Sequence, residues 1–225
     1  MNPPSNVQVK ICCIANIEEA RLAISFGASA IGLVSAMPSG PGPISEDLIT
    51  IIAATIPPGV ATFLLTSKQD APGIIAQQRR TKTNTIQIVD EFPLAEYGIL
   101  REELPGVKLV QVVHVREESS IRKAVELSDY VDAILLDSGN PYLETKELGG
   151  TGRVHDWSIS MAIREKVNIP VYLAGGLTSE NVAHAIETVG PFAVDVCSGV
   201  RTNGKLDEKK LSEFFRSVSR SKIKT

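Results

Sequence analysis

The sequence predicts an α/β protein, a (β/α)₈ barrel of eight repeated strand–helix units. Three observations carry that prediction. Short β-branched runs recur at a spacing of roughly 25 residues, and each is followed by a stretch with helical periodicity. Glycine-bearing loops then gather behind the last three runs, at the strand ends where such barrels keep their chemistry. A doubly wound open sheet is the rival arrangement, but it does not call for eight equal units.

The units follow in order. Strand Val7–Cys13 leads into helix Ile17–Phe26, which starts behind the capping side chain of Asn16 with Glu18 and Glu19 in its first turn and stops at Gly27. Strand Ala30–Ser35 precedes helix Glu46–Thr55, capped by Ser45 with Glu46 and Asp47 behind it. Strand Val60–Thr66 pairs with helix Ala71–Thr81, strand Thr85–Val89 with helix Leu94–Glu103, and strand Lys108–Val115 with helix Ser119–Leu127. Strand Ala133–Asp137 is followed by a glycine-rich loop and a helix, Trp157–Lys166, that opens at Asp156. Strand Pro170–Ala174 leads to helix Ser179–Thr188, opened by Thr178 and closed near Gly190, and strand Phe192–Cys197 leads to helix Glu208–Ser217, opened by Asp207.

At 225 residues the chain suits a single barrel domain spanning 1–225, with its core over about 7–217 and flexible ends at 1–6 and 219–225. Hydrophobic residues make up 43% and charged residues 22%, as in an ordinary globular protein. A net charge of −3 leaves no basic stripe for nucleic acid, and the pairs Arg79-Arg80 and Lys209-Lys210 read as solvated helix faces. No apolar run approaches the ~20 residues that span a bilayer. Met1–Ser5 carries no charged segment leading into an apolar one, so the expected setting is the cytoplasm with no membrane partner. Three cysteines, Cys12, Cys13 and Cys197, suggest neither a disulfide framework nor a metal site.

The candidate chemistry sits at strand ends. Ala133-Ile134-Leu135-Leu136 is wholly apolar and ends in Asp137, ahead of Gly149-Gly150-Thr151-Gly152. A carboxylate beside a loop whose N–H groups can wrap a phosphate points to a phosphorylated small molecule, although such a loop alone is also a plain turn. Gly175-Gly176 after the seventh strand and Ser198-Gly199 after the eighth add two more walls of the same pocket. Asp195 lies inside the eighth strand, where an unpaired charge is costly, so Lys10 on the neighbouring first strand is its expected partner. Asp195 then serves either as a structural ion pair or as a grip on ribose hydroxyls. Strand alternation puts Lys10 and Cys12 on one face and Cys13 on the other. Cys12 is thus either a base at the mouth, with Lys10 favouring its thiolate, or a small core residue.

Lys10-Ile11-Cys12, Leu135-Leu136-Asp137, Gly149–Gly152 with Asp156-Trp157, Leu173–Leu177 with Glu180-Asn181-Val182, and Val194–Val200 resemble the phosphoribosylanthranilate isomerase family of tryptophan biosynthesis, in the right order from residue 9 to about 215. The resemblance implies an aldose–ketose isomerase that performs an Amadori rearrangement on a phosphoribosyl-amine. It implies Cys12 as general base, Asp137 as general acid, a small-molecule sugar phosphate as ligand, and no metal or organic cofactor. A monomer or homodimer is expected.

The first half departs from that family. Cys13 replaces the Gly of Lys-Ile-Cys-Gly, with its side chain expected on the outer face. In the loop after the second strand, Gly42 stands where the family has an Arg that binds the anthranilate carboxylate. Gln87-Ile88-Val89-Asp90 replaces Gln-Leu-His-Gly, while His114 comes near the end of the fifth strand, two residues before Arg116. Gly42, Gln87, His114 and Arg116 are therefore the candidate aglycone residues, with Arg116 or Lys68 as substitute cations. Three readings remain: the family's own isomerase, the same chemistry on another phosphoribosyl-amine, or a non-catalytic sugar-phosphate binder. Retention of both Cys12 and Asp137 favours an enzyme, since a binder has no use for an acid and a base on opposite walls.

Overall fold

A computed structural model describes residues 7–139 and 154–221. Eight parallel strands close into a barrel in chain order: β1 (Gln8–Ile11), β2 (Ala30–Val34), β3 (Ala61–Thr66), β4 (Thr85–Ile88), β5 (Lys108–His114), β6 (Ala133–Asp137), β7 (Val171–Leu173) and β8 (Ala193–Val196). The seam is made by β1 and β8, where Lys10 lies opposite Asp195 and Ile11 opposite Val196. Around the barrel run α1 (Ile17–Ser25), α2 (Glu46–Thr55), α3 (Ala71–Thr81), α4 (Leu94–Glu103), α5 (Ser119–Leu127), α6 (Trp157–Lys166), α7 (Val182–Val189) and α8 (Glu208–Arg220). A short antiparallel pair, β9 (Arg201–Thr202) and β10 (Lys205–Leu206), precedes α8.

The helix starts rest on local chemistry. Asn16, Ser45, Asp156 and Asp207 accept hydrogen bonds from the N–H groups of Glu19, Leu48, Ser158 and Lys210, each cap being worth about 1 kcal/mol. Apolar side chains fall into two layers. One, including Ile11, Ile31, Leu64 and Leu136, packs between strands and helices. The other, including Phe63, Leu65, Val110, Val112 and Leu135, fills the barrel interior below the mouth.

Two expectations fail at element ends. The seventh helix begins at Val182 rather than Ser179. Thr178 Oγ1 accepts from the Glu180 N–H and Asn181 Oδ1 from the Thr178 N–H, so side-chain bonds close a turn before the helix can start. The eighth helix runs on to Arg220, and Ser221 is buried with its hydroxyl on the Val218 carbonyl. Residues 219–221 are thus carried by the apolar face of Leu211, Phe214 and Val218 rather than frayed. The rest of the two expected flexible ends, 1–6 and 222–225, lies outside the described residues. Among the described residues no helix is long and apolar enough to cross a membrane.

Candidate active site at the barrel mouth

A cavity opens at the carboxyl ends of the strands. Cys12, Gln87, Asp137, Gly175, Gly176, Asp195 and Ser198 all line it, so half of the fourteen candidate site residues meet here. Gly199 sits just behind, where an added Cβ would collide with the Leu177 carbonyl; only glycine lets the β8 turn press against the β7 loop. Gly150, Thr151 and Gly152 lie outside the described residues.

Asp137 ends β6 and is 7% exposed. Burial pushes its carboxyl up to about 6, reinforced by the nearby charge of Asp195 and opposed by the Ser138 N–H and by Lys10. That N–H donates to Asp137 Oδ1 at 2.7 Å. A carboxyl so tuned exchanges its proton near neutrality, which an ordinary aspartate does not.

Across the mouth, Cys12 follows β1 and is anchored by its N–H on the Val196 carbonyl at 2.8 Å. Its thiol lies over Gly32 of β2, where a Cβ would stand 2.9 Å from Cys12 Sγ and 3.2 Å from Lys10 Nζ. Gly32 therefore leaves the space in which a thiol and an ammonium sit together. Lys10 is fully buried, with Nζ 2.9 Å from Asp195 Oδ2, as the sequence requires. Burial disfavours its charge, but the pull of Asp195 and of Cys12 outweighs it and holds the ammonium above its usual range. Asp195 Oδ1 stays buried without a hydrogen-bond partner among the described residues and can accept from a ligand hydroxyl.

Cys13 is not on the outer face. Its φ of +61° takes it out of strand geometry, so alternation no longer applies, and its side chain turns into the mouth. There Sγ lies 3.5 Å from the Pro41 carbonyl and 2.7 Å from Cys197 Sγ. The backbone of Cys12 and Cys13 is held by Arg201, whose Nη2 donates to both carbonyls at 3.2 and 2.6 Å. Glu19 grips the same guanidinium at 3.0 Å. Nothing in the sequence around Glu19 or Arg201 marks this clamp, because Glu19 reads only as an acid in a first helical turn.

The candidate aglycone residues divide. Gln87 lines the cavity, its Oε1 buried without a partner among the described residues. Gly42, at φ +79°, lies against Cys13 in the β2 loop. His114 and Arg116 do not line the mouth: His114 Nε2 is 3.0 Å from the Val89 carbonyl, and the Arg116 N–H donates to Ser120 Oγ. Burial lowers the pKa of His114, so it braces β4 as a neutral ring. Lys68 is exposed. Among the described residues the cavity lining contains neither Lys nor Arg. No group of three or more described His, Cys, Asp or Glu side chains is arranged to hold a metal ion.

The family model for N-(5'phosphoribosyl)anthranilate (PRA) isomerase matches residues 9–217. The N-(5'-phosphoribosyl)anthranilate isomerase of Methanocella arvoryzae is 35% identical over 212 residues, covering 94% of this chain and 97% of its own. The crystal structure of phosphoribosyl anthranilate isomerase from Thermotoga maritima superposes with a TM-score of 0.80 at 31% identity, covering 94% and 98%. A phosphoribosyl anthranilate isomerase solved in complex with reduced 1-(o-carboxyphenylamino)-1-deoxyribulose 5-phosphate gives a TM-score of 0.79 at 29% identity, with the same coverage.

Proposed function

Because this chain belongs to the N-(5'-phosphoribosyl)anthranilate isomerase family, we infer that it converts N-(5'-phosphoribosyl)anthranilate into 1-(o-carboxyphenylamino)-1-deoxyribulose 5-phosphate by an Amadori rearrangement. Asp137 gives its proton to the furanose ring oxygen as the C1–O bond breaks, and the nitrogen lone pair forms the C=N bond of a Schiff base. Cys12, as thiolate, then removes the C2 proton. The electrons of that C–H bond become the C1–C2 double bond, and the iminium nitrogen recovers its lone pair. The resulting enol collapses to the 2-ketone as C1 is protonated. Only protons move, and no electrons leave the substrate.

The single observation that carries this reading is the pairing of Asp137, with its carboxyl raised to about 6, and Cys12 beside the Lys10 ammonium, on facing sides of one cavity. An acid and a base with separated proton affinities are what the two steps require. We assign the grip on the sugar phosphate to the turns Gly175–Gly176 and Ser198–Gly199. The first N–H groups of a 3-10 turn such as Ser198–Val200 have no partner within the turn itself. Gly150, Thr151 and Gly152 belong to the same assignment on sequence grounds alone. Asp195 Oδ1 is assigned to a ribose hydroxyl.

The test is turnover of N-(5'-phosphoribosyl)anthranilate by the purified chain and by Cys12→Ala and Asp137→Asn. Each variant is expected to lower kcat by about 10²-fold or more with binding little changed. Near wild-type turnover in either would remove that residue from the mechanism.

A further inference from the structure

We propose that Cys13 and Cys197 form a peroxide-reactive dithiol that closes reversibly into a disulfide across the seam of the barrel. The two sulfurs lie 2.7 Å apart, inside the contact distance of two non-bonded sulfurs and short of the ~2.05 Å of a bond. Their backbones are brought together by the β1–β8 pairing, which sets Ile11 opposite Val196 immediately before the two segments leave the sheet. The positive φ of Cys13 then aims its thiol at Cys197. Forming the bond asks the sulfurs to close a gap of well under an ångström.

The pair is also differentiated. Both thiols line the mouth cavity, which a small oxidant can enter, but Cys197 is partly exposed whereas Cys13 is buried. The neighbouring Cys13 side chain and the charge of Arg201 favour the Cys197 thiolate, against the cost of burial. Bonds to Cys12 and Cys197, together with burial, keep Cys13 a thiol. Cys197 is therefore the attacking sulfur. Its thiolate attacks one peroxide oxygen, the O–O bond breaks, and Cys197 becomes a sulfenic acid as hydroxide leaves and takes up, as water, the proton the thiol released on ionising. Cys13 then attacks that sulfur, its proton departing with the hydroxyl as a second water, and the S–S bond forms. In sum two thiols and one peroxide give a disulfide and two waters, and a dithiol reductant reverses the change. Cys12 is the competing neighbour of Cys13, but adjacent Cα atoms ~3.8 Å apart fall short of the ~4.4–6.8 Å that a relaxed disulfide spans.

The bond would join the first strand of the barrel to the last and so restrict nearly the whole unfolded chain. A rise in melting temperature of about 10 °C is expected. The experiment treats the full chain with hydrogen peroxide and follows intact mass, a non-reducing peptide map and the melting curve, before and after a dithiol. The expected result is a loss of two hydrogen atoms, a link between the peptides holding Cys13 and Cys197, a higher Tm, and reversal of all three. Cys12→Ala should still cross-link, and both Cys13→Gly and Cys197→Ser should not. Accumulation of Cys197 sulfinic acid while Cys13 still alkylates would overturn the proposal. So would a link that Cys12→Ala abolishes.

Discussion

Cys13 and Gly42 share one space at the barrel mouth: a Cβ built on Gly42 would stand 2.6 Å from Cys13 Cβ. The two positions at which the sequence is expected to depart from the family pattern are thus in direct contact in this chain. Gly42 also has φ +79°. Gly42→Ala is expected to destabilise the protein by about 2–4 kcal/mol, from overpacking and left-handed strain together. In a Cys13→Gly background the contact with the side chain goes, leaving a 3.1 Å approach to the backbone Cα and the strain, so denaturant unfolding should show a coupling of about 1–3 kcal/mol. Additive effects would mean that the two positions do not compete. Gly42→Arg is accordingly no clean restoration of a carboxylate site.

Gly32 should act on turnover rather than on binding. Its added Cβ would press first on Cys12, at 2.9 Å from Sγ, and on Lys10 Nζ at 3.2 Å. Gly32→Ala is expected to lower kcat by roughly 10–100-fold with KM nearly constant, as a displaced base requires. Steady-state kinetics decide it: a change confined to KM would place the thiol outside the proton-transfer step.

Asp137 makes stability depend on pH in a defined direction. Its folded carboxyl titrates at about 6 against an ordinary 3.8, so the native state binds the proton more tightly than the unfolded chain. Its contribution is favourable below about pH 4 and is lost as pH rises through 6, a swing of about 3 kcal/mol. Asp137→Asn should therefore raise Tm at pH 7.5 and leave it nearly unchanged at pH 4. Equal shifts at both pH values would rule out the raised carboxyl as the cause. A residue that costs stability while serving the reaction is an expected trade at an active site.

Discrimination for the substrate carboxylate should be weak. With neither Lys nor Arg among the described lining residues, the analogue made from aniline is expected to react within about tenfold of the anthranilate compound in kcat/KM. A buried cation would separate them by about 2–5 kcal/mol, or tens- to thousands-fold. A strong preference would identify a cation from outside that lining, and Arg116→Ala would be the variant to compare.

What the sequence determined was local. The helices Glu46–Thr55, Ala71–Thr81 and Trp157–Lys166 were legible to the residue, because periodicity and end signals act within three or four positions of each other. The barrel followed from counting units. The Lys10–Asp195 pair was legible too, because a charge inside a strand must find a partner and the first strand closes on the last. Tertiary structure alone decided the direction of Cys13, which strand alternation misplaced because a positive φ breaks the period of two. It also removed His114 and Arg116 from the mouth, and it revealed Gly32 beneath the thiol and the Glu19–Arg201 clamp on the end of β1. Those contacts join residues far apart in the chain. Their partners are set by which side chains the closed barrel brings face to face, and no local pattern carries that information.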